Sequence, residues 1–296
     1  MKNNDIFESH AENQWCPGCT NFGILKAFKN ALKENGKEPR NVCLVSGIGQ
    51  AAKLPHYLKC NFFNGLHGRA IPVATGIKVA NPGLTTIVVT GDGDCYGEGG
   101  NHFLHGLRRN PDITVVVHNN EIYALTKGQA SPTTHIGAKR ALQPPEGVSI
   151  TPFNMPMEAI HNGCGFVARG LAGDPEHLKD ILIQAIEYRG LSCVDIVQPC
   201  ITWGNRSVKW YRERVSKLNS NHDPKDKHAA LKEAVITEER IPIGILYHVP
   251  SGKIFGEKYR EQYSGEALAT LKPLERERDA EILEEFKAVI KKQAVS

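Results

Sequence analysis

The sequence has none of the features that would place the chain in a membrane, on a nucleic acid or on the secretory route. No apolar run among its 296 residues approaches the roughly 20 needed to span a bilayer. The opening stretch, MKNNDIFESHAENQW, has no apolar segment of the kind a secretory signal uses, so the expected location is the cytoplasm. An excess of one charge is also missing: 36 Lys and Arg against 32 Asp and Glu leave only +4, too little to draw in a polyanion, and a nucleic-acid partner is set aside. No internal repeat or low-complexity segment occurs. What remains, with 41% hydrophobic and 23% charged residues, is an ordinary globular composition with enough apolar side chains for a sizeable core. One large domain or two small ones would fit. Eight cysteines in a reducing compartment read as metal ligands or buried thiols rather than disulfides.

FGILKAFKNALKENG sets Phe22, Leu25, Phe28 and Leu32 at helical spacing and closes on Gly36, which predicts a helix. NVCLVSGIG, TTIVVTGDGD, ITVVVHNN and GLSCVDIVQPC read as buried strands, the first three ending in Gly-rich or Asn-rich turns. RAIPVATGIKVANP and NHFLHGLRRN read as helices between strands. Short β-branched strands without period-two patterning, alternating with helices, imply an α/β fold: a mostly parallel sheet with helices on both faces. In that architecture ligands bind at the carboxyl ends of strands. Residues 1–200 are expected to form this domain. Residues 201–296 are strongly charged and are expected to form an arm packed on the core or on a partner, with LERERDAEILEEFKAVIKKQ as a polar helix.

Gly91-Asp92-Gly93 ends one strand, and after 25 intervening residues Asn119-Asn120 ends the next. Two strand ends can thus face one ion. Magnesium prefers hard oxygens and keeps phosphates among its ligands, and a carboxylate, an amide oxygen and a backbone carbonyl suit it. Glycines there let the backbone approach a diphosphate. The competing reading is a tight turn and a helix cap. Cys16-Pro-Gly-Cys19 lets two thiolates hold one metal centre, and by itself is open between zinc, a redox dithiol and an iron-sulfur cluster. Cys200, after the fourth strand, is a third ligand candidate at the same sheet edge. His67-Gly68-Arg69 opens a predicted helix and suits an anion, with surface pairing as the alternative for Arg69. Lys127, just past the Asn pair, is placed to meet a second carboxylate on a substrate.

The GDG and NN spacing resembles the signature of thiamine-diphosphate enzymes. That resemblance implies side-chain metal ligands at Asp92 and Asn120, a carbonyl ligand at Ile122, and a diphosphate lined by Asp94 and Gly97 as well as Gly91 and Gly93. More widely, WCPGCTNFG, SGIG, LHGRAIPVATGIK, GDGD, HNNEIYALTKGQASPT and VQPC, in that order, resemble the β subunits of 2-oxoacid:ferredoxin oxidoreductases over about the first two hundred residues. The resemblance implies the thiamine diphosphate-binding fold, Mg2+, and a 4Fe-4S cluster on Cys16, Cys19, Cys200 and one further cysteine. It also implies a cofactor-facing His67 and a close-approach turn at Ser46, Gly47, Ile48 and Gly49. The family places a cysteine directly after SGIG, where this chain has Gln50. Cys60, ten residues on, is the substitute ligand, against the alternative of a buried structural thiol. Cys43, Cys164 and Cys193 read as structural, and Cys95 as a packed thiol beside the turn.

The activity so implied is oxidative decarboxylation of a 2-oxo acid, with LTKGQ pointing to 2-oxoglutarate. The product is an acyl-CoA, and electrons go to ferredoxin. An α subunit would supply the other half of the thiamine site. Pyruvate or branched 2-oxo acids, a non-oxidative thiamine decarboxylase or synthase, and a non-catalytic zinc or electron-transfer scaffold are the alternatives.

Overall fold

Strands buried on both sides organise the molecule, described here from a computed structural model over residues 5–139, 143–204 and 206–257, with Glu284 and Lys287. In chain order the elements are α1 (Asn21–Glu34), β1 (Val42–Ser46), β2 (Asn61–Asn64), α2 (Ala70–Ala80), β3 (Thr85–Gly91), α3 (Gly100–Arg109) and β4 (Thr114–Asn119). A two-residue pair, β5 (Ile122–Tyr123) and β6 (Gln129–Ala130), forms a small separate hairpin. There follow α4 (Met155–His161), β7 (Phe166–Leu171), α5 (Pro175–Glu187), β8 (Ser192–Val197), α6 (Val208–Arg214), β9 (Val215–Lys217), α7 (Lys227–Glu233) and β10 (Ile241–His248).

Eight strands pair in the order β2-β1-β3-β4-β8-β7-β10-β9. Every neighbouring pair is parallel except β7 with β10. Side chains on a strand alternate between faces, so a strand covered on both must be apolar throughout. Leu44, Ile87, Val89, Val116, Val194 and Ile196 face one layer, where they meet Ile24, Phe28 and Leu32 of α1 and Leu178 and Ile181 of α5. Val45, Val88, Val115 and Val117 face the other, against Ile71 of α2, Phe103 and Leu107 of α3 and Ile160 of α4. Each such large side chain contributes about 1.5–3 kcal/mol on leaving water.

The charged segment after Cys200 adds strands to the same sheet. β10 lies antiparallel on β7, with β9 beyond it, and Ile241 and Ile243 bury against Tyr211 of α6. The polar helix expected near the C-terminus lies outside the described residues, apart from Glu284 and Lys287, which are helical. No described helix is long and apolar enough to cross a membrane.

Candidate active site at the carboxyl edge of the sheet

Four strand ends meet at one edge: Ser46 of β1, Gly91 of β3, Asn119 of β4 and Val197 of β8. Asp94 ties the segments there together. Its Oδ1 accepts the backbone N–H of Ile48 at 3.1 Å and of Gly68 at 2.7 Å and lies 2.6 Å from His67 Nδ1, while its Oδ2 accepts Thr90 Oγ1–H at 2.6 Å. Gly47 is required by this arrangement, since a Cβ there would lie 2.2 Å from Asp94 Oδ2. Residues Gly93–Glu98 form a π-helical turn, closed by Gly99 N–H on the Asp94 carbonyl at 3.0 Å. Such turns re-aim a helix start and concentrate at functional sites. Expected to open space for a diphosphate, Gly93 and Gly97 also admit the Tyr123 ring: a Cβ on Gly93 would lie 2.3 Å from Tyr123 Cε1. The Tyr123 hydroxyl donates to Glu98 at 3.3 Å.

Asp92 is 1% exposed, and among the described residues it has no ion pair. Burial pushes its carboxyl up to about 6, against hydrogen bonds from Ser131 and Thr133 that favour the charged form. Ser131 Oγ–H and Thr133 Oγ1–H both donate to Oδ2, at 2.5 and 2.6 Å, and the Asn120 N–H approaches Oδ1 at 3.5 Å. Asn120 Oδ1 accepts the N–H of Ile122 at 3.0 Å, which holds the turn into β5. An oriented, buried carboxylate without a cationic neighbour, beside an amide oxygen and a strand-starting carbonyl, fits a hard divalent cation. Asn119 does other work: it accepts from Thr133 at 2.9 Å and donates to Asp195 at 3.2 Å.

Cys16, Cys19 and Cys200 line one cavity with Gln50, Asn120 and Gln198. Cys19 N–H donates to the Cys16 carbonyl at 3.0 Å and Gly18 has φ +75°, so Pro17-Gly18 forms the tight turn expected of CPGC. Thr20 Oγ1–H donates to the Pro199 carbonyl at 2.9 Å and accepts Gln198 Nε2–H at 2.8 Å, which docks the CPGC turn against QPC. Burial, then the nearby Cys200 and Cys16 thiols, push the Cys19 thiol up. Among the described residues no three His, Cys, Asp or Glu side chains converge tightly enough for a single metal ion; the thiols ring a space instead.

Cys60, expected to substitute for a cysteine at position 50, does not line this cavity. Asn61, the residue after it, pairs with Cys43 at the start of β1, while the thiol cavity lies at the opposite end, past Ser46. Burial, then the Cys43 thiol, push Cys60 up to about 12. Lys127 sits exposed with φ +81° in the turn between β5 and β6, beside Gly128, which packs close to Trp203. Arg69 is exposed. Ser131, Thr133, Tyr123 and Gln198 escape a reading of the sequence, although Ser131 and Thr133 lie in the ASPT tetrapeptide; hydroxyls that orient a carboxylate have no spacing signature.

This fold and edge define the class of enzymes that bind thiamine diphosphate: residues 44–196 match the family "Thiamine pyrophosphate enzyme, C-terminal TPP binding domain". Residues 200–263 match the family described as the C-terminal part of the pyruvate ferredoxin oxidoreductase beta subunit. The chain is 44% identical over 251 residues to the 2-oxoacid:ferredoxin oxidoreductase subunit beta of Saccharolobus solfataricus, covering 79% of this chain and 81% of that one. It is 38% identical to subunit beta of 2-oxoacid:ferredoxin oxidoreductase 1 of Aeropyrum pernix, covering 98% and 96%. A solved 2-oxoglutarate:ferredoxin oxidoreductase from Magnetococcus marinus, with 2-oxoglutarate, coenzyme A and succinyl-CoA bound, superposes with a TM-score of 0.85 at 32% identity over 96% of each chain. The chain belongs to the β subunits of the 2-oxoacid:ferredoxin oxidoreductases.

Proposed function

We propose that this chain, with an α subunit, oxidises 2-oxoglutarate to CO2 and an acyl-CoA and passes two electrons singly through a 4Fe-4S cluster to ferredoxin. The observation that carries the reading is the contiguity of two sites: Asn120, whose N–H approaches Asp92, also lines the cavity of Cys16, Cys19 and Cys200. A non-oxidative decarboxylase has no use for three thiols beside its diphosphate site, and a scaffold protein has none for a buried, cation-seeking Asp92.

Asp92, Asn120 and the Ile122 carbonyl would hold Mg2+, with Ser131 and Thr133 fixing the carboxylate. Thiamine diphosphate, when bound, supplies the electron sink that decarboxylation of a 2-oxo acid requires. The turns at Ser46–Gly49 and Gly91–Gly97 would bring backbone to the diphosphate. With Nδ1 of His67 committed to Asp94, Nε2 is the atom left to hold or move a proton at the reacting centre. Lys127 would receive the distal carboxylate of 2-oxoglutarate. In the overall reaction the carboxyl-to-carbonyl C–C bond breaks to release CO2. The acyl carbon bonds to the sulfur of coenzyme A, the thiol proton is released, and two electrons leave.

The apolar surface beside the site, where Ile48, Phe62, Phe63 and Leu66 are 42–76% exposed, would be covered by the α subunit. Eight unpaired thiols suit a cytoplasmic complex. The test is the anaerobically purified complex assayed for ferredoxin reduction with 2-oxoglutarate, pyruvate and branched 2-oxo acids, with and without coenzyme A. Reduction that requires both 2-oxoglutarate and coenzyme A is expected. Release of CO2 without reduction of the acceptor would make it a non-oxidative thiamine enzyme.

A further inference from the structure

The cavity of the three thiols contains polar atoms that nothing among the described residues satisfies. Gln50 is held in place by its backbone carbonyl, which accepts the indole Nε1–H of Trp15 at 2.8 Å. Trp15 is itself locked edge-on against Phe22 and Tyr57, with ring centroids 5.6 and 4.8 Å away. Gln50 Oε1 is nevertheless buried without a hydrogen-bond partner, and so is Gln198 Oε1 in the same lining. A buried acceptor left without a donor is destabilising. No residue of the lining carries a fixed positive charge, so a group that sat among three thiolates there would have to bring its own. The other thiols near it in sequence, Cys43 and Cys60, lie at the far end of β1.

We propose that the cluster site is built on three thiolates only, Cys16, Cys19 and Cys200, and that the fourth corner faces the side-chain amide of Gln50. This rests on the reading above that the cavity holds a 4Fe-4S cluster. Clusters of this type are held by thiolate, and an amide oxygen is a much poorer partner for iron. One iron of the four is therefore exchangeable. A one-electron oxidant takes the 4Fe-4S(2+) core to 3+, and the weakly held iron leaves as Fe2+. The remaining 3Fe-4S(1+) core stays on the three thiolates, and Fe2+ with one electron restores it.

The experiment uses the anaerobic αβ complex, wild type and Gln50→Cys, titrated with ferricyanide and followed by EPR and by iron and sulfide analysis. The expected wild-type result is loss of one iron in four with full sulfide retention. A three-iron EPR signal should appear, and Fe2+ with dithionite should reverse it. Gln50→Cys should keep four irons through the same titration. Independently of any variant, 57Fe2+ added with dithionite to the oxidised wild type should label a single site in the Mössbauer spectrum. A wild-type cluster that keeps all four irons, or one that becomes convertible only in Cys60→Ala, would overturn the three-thiolate site. No iron in the wild type at all would overturn the cluster reading beneath it.

Discussion

Oδ1 of Asp94 lies 2.6 Å from Nδ1 of His67 and accepts the neighbouring N–H of Gly68 at 2.7 Å, so one buried oxygen fixes both a ring and its backbone. Through Ile48 and Thr90 the same carboxylate also holds the turn after β1 and the end of β3. The turn after β1, the segment before α2 and the end of β3 therefore depend on one side chain.

Asp94→Asn should lower the urea midpoint of the apo complex by an amount equivalent to about 1.5–3 kcal/mol, because an amide cannot accept on both ends. Gly47→Ala should act on the same contact, since its Cβ would meet Oδ2 at 2.2 Å. The double variant should then be no worse than the worse single one. Strict additivity of the two losses would show that the contacts are independent.

Asp92→Asn should raise the dissociation constant for thiamine diphosphate in saturating Mg2+ by about a hundredfold. The thermal midpoint of the apo complex should stay level or rise, because the variant removes a buried carboxylate that has no cationic partner among the described residues. A drop of several degrees with binding intact would make Asp92 a structural residue.

Lys127→Ala should raise KM for 2-oxoglutarate about tenfold or more while leaving kcat/KM for a monocarboxylic 2-oxo acid within about twofold. Equal losses on both substrates would remove Lys127 from substrate selection.

Arg169 and Asp195 are both at most 2% exposed, and burial pulls each towards its neutral form. The arginine donates to the carbonyls of Pro242 and Ala234 at 3.1 and 2.7 Å, which joins β7 to β10 and α7. Breaking the pair with Asp195→Ala should cost about 3–5 kcal/mol, and adding Arg169→Met should restore part of it. Denaturant unfolding of the wild type and the two variants measures this directly.

Burial pushes the Cys60 thiol up to about 12, so at pH 8 only about one part in ten thousand is thiolate. In the native chain stripped of iron, iodoacetamide should label exposed Cys16 well before Cys60, as read by peptide mass spectrometry over time. Early labelling of Cys60 would contradict its half-buried placement beside Cys43, just before β2.

The central strands are legible in the sequence because burial on both faces leaves an unbroken β-branched run, as in VCLVS, TTIVV and ITVVV. β7 is not, since Arg169 interrupts FVARGL, and only the structure supplies the buried Asp195 that balances it. β10 is hidden by Pro242 and Gly244, and β2 by its brevity and exposure. Of the site, GDGD, HNN, CPGC and QPC can be read from spacing. Cys60 misleads because ten residues of sequence look like a short distance. A strand parallel to β1 must begin where β1 begins, so the chain runs back along the sheet through a 3-10 helix at Ala51–Tyr57 before β2 starts.

All four residues of β2 are exposed, and Phe62 and Phe63 stand among them on an outer strand of the sheet. An outer strand with aromatic side chains and unpaired backbone groups is a template for stray pairing. If the α subunit covers this strand as proposed, copies of this chain made in excess of it would leave the strand open to self-association.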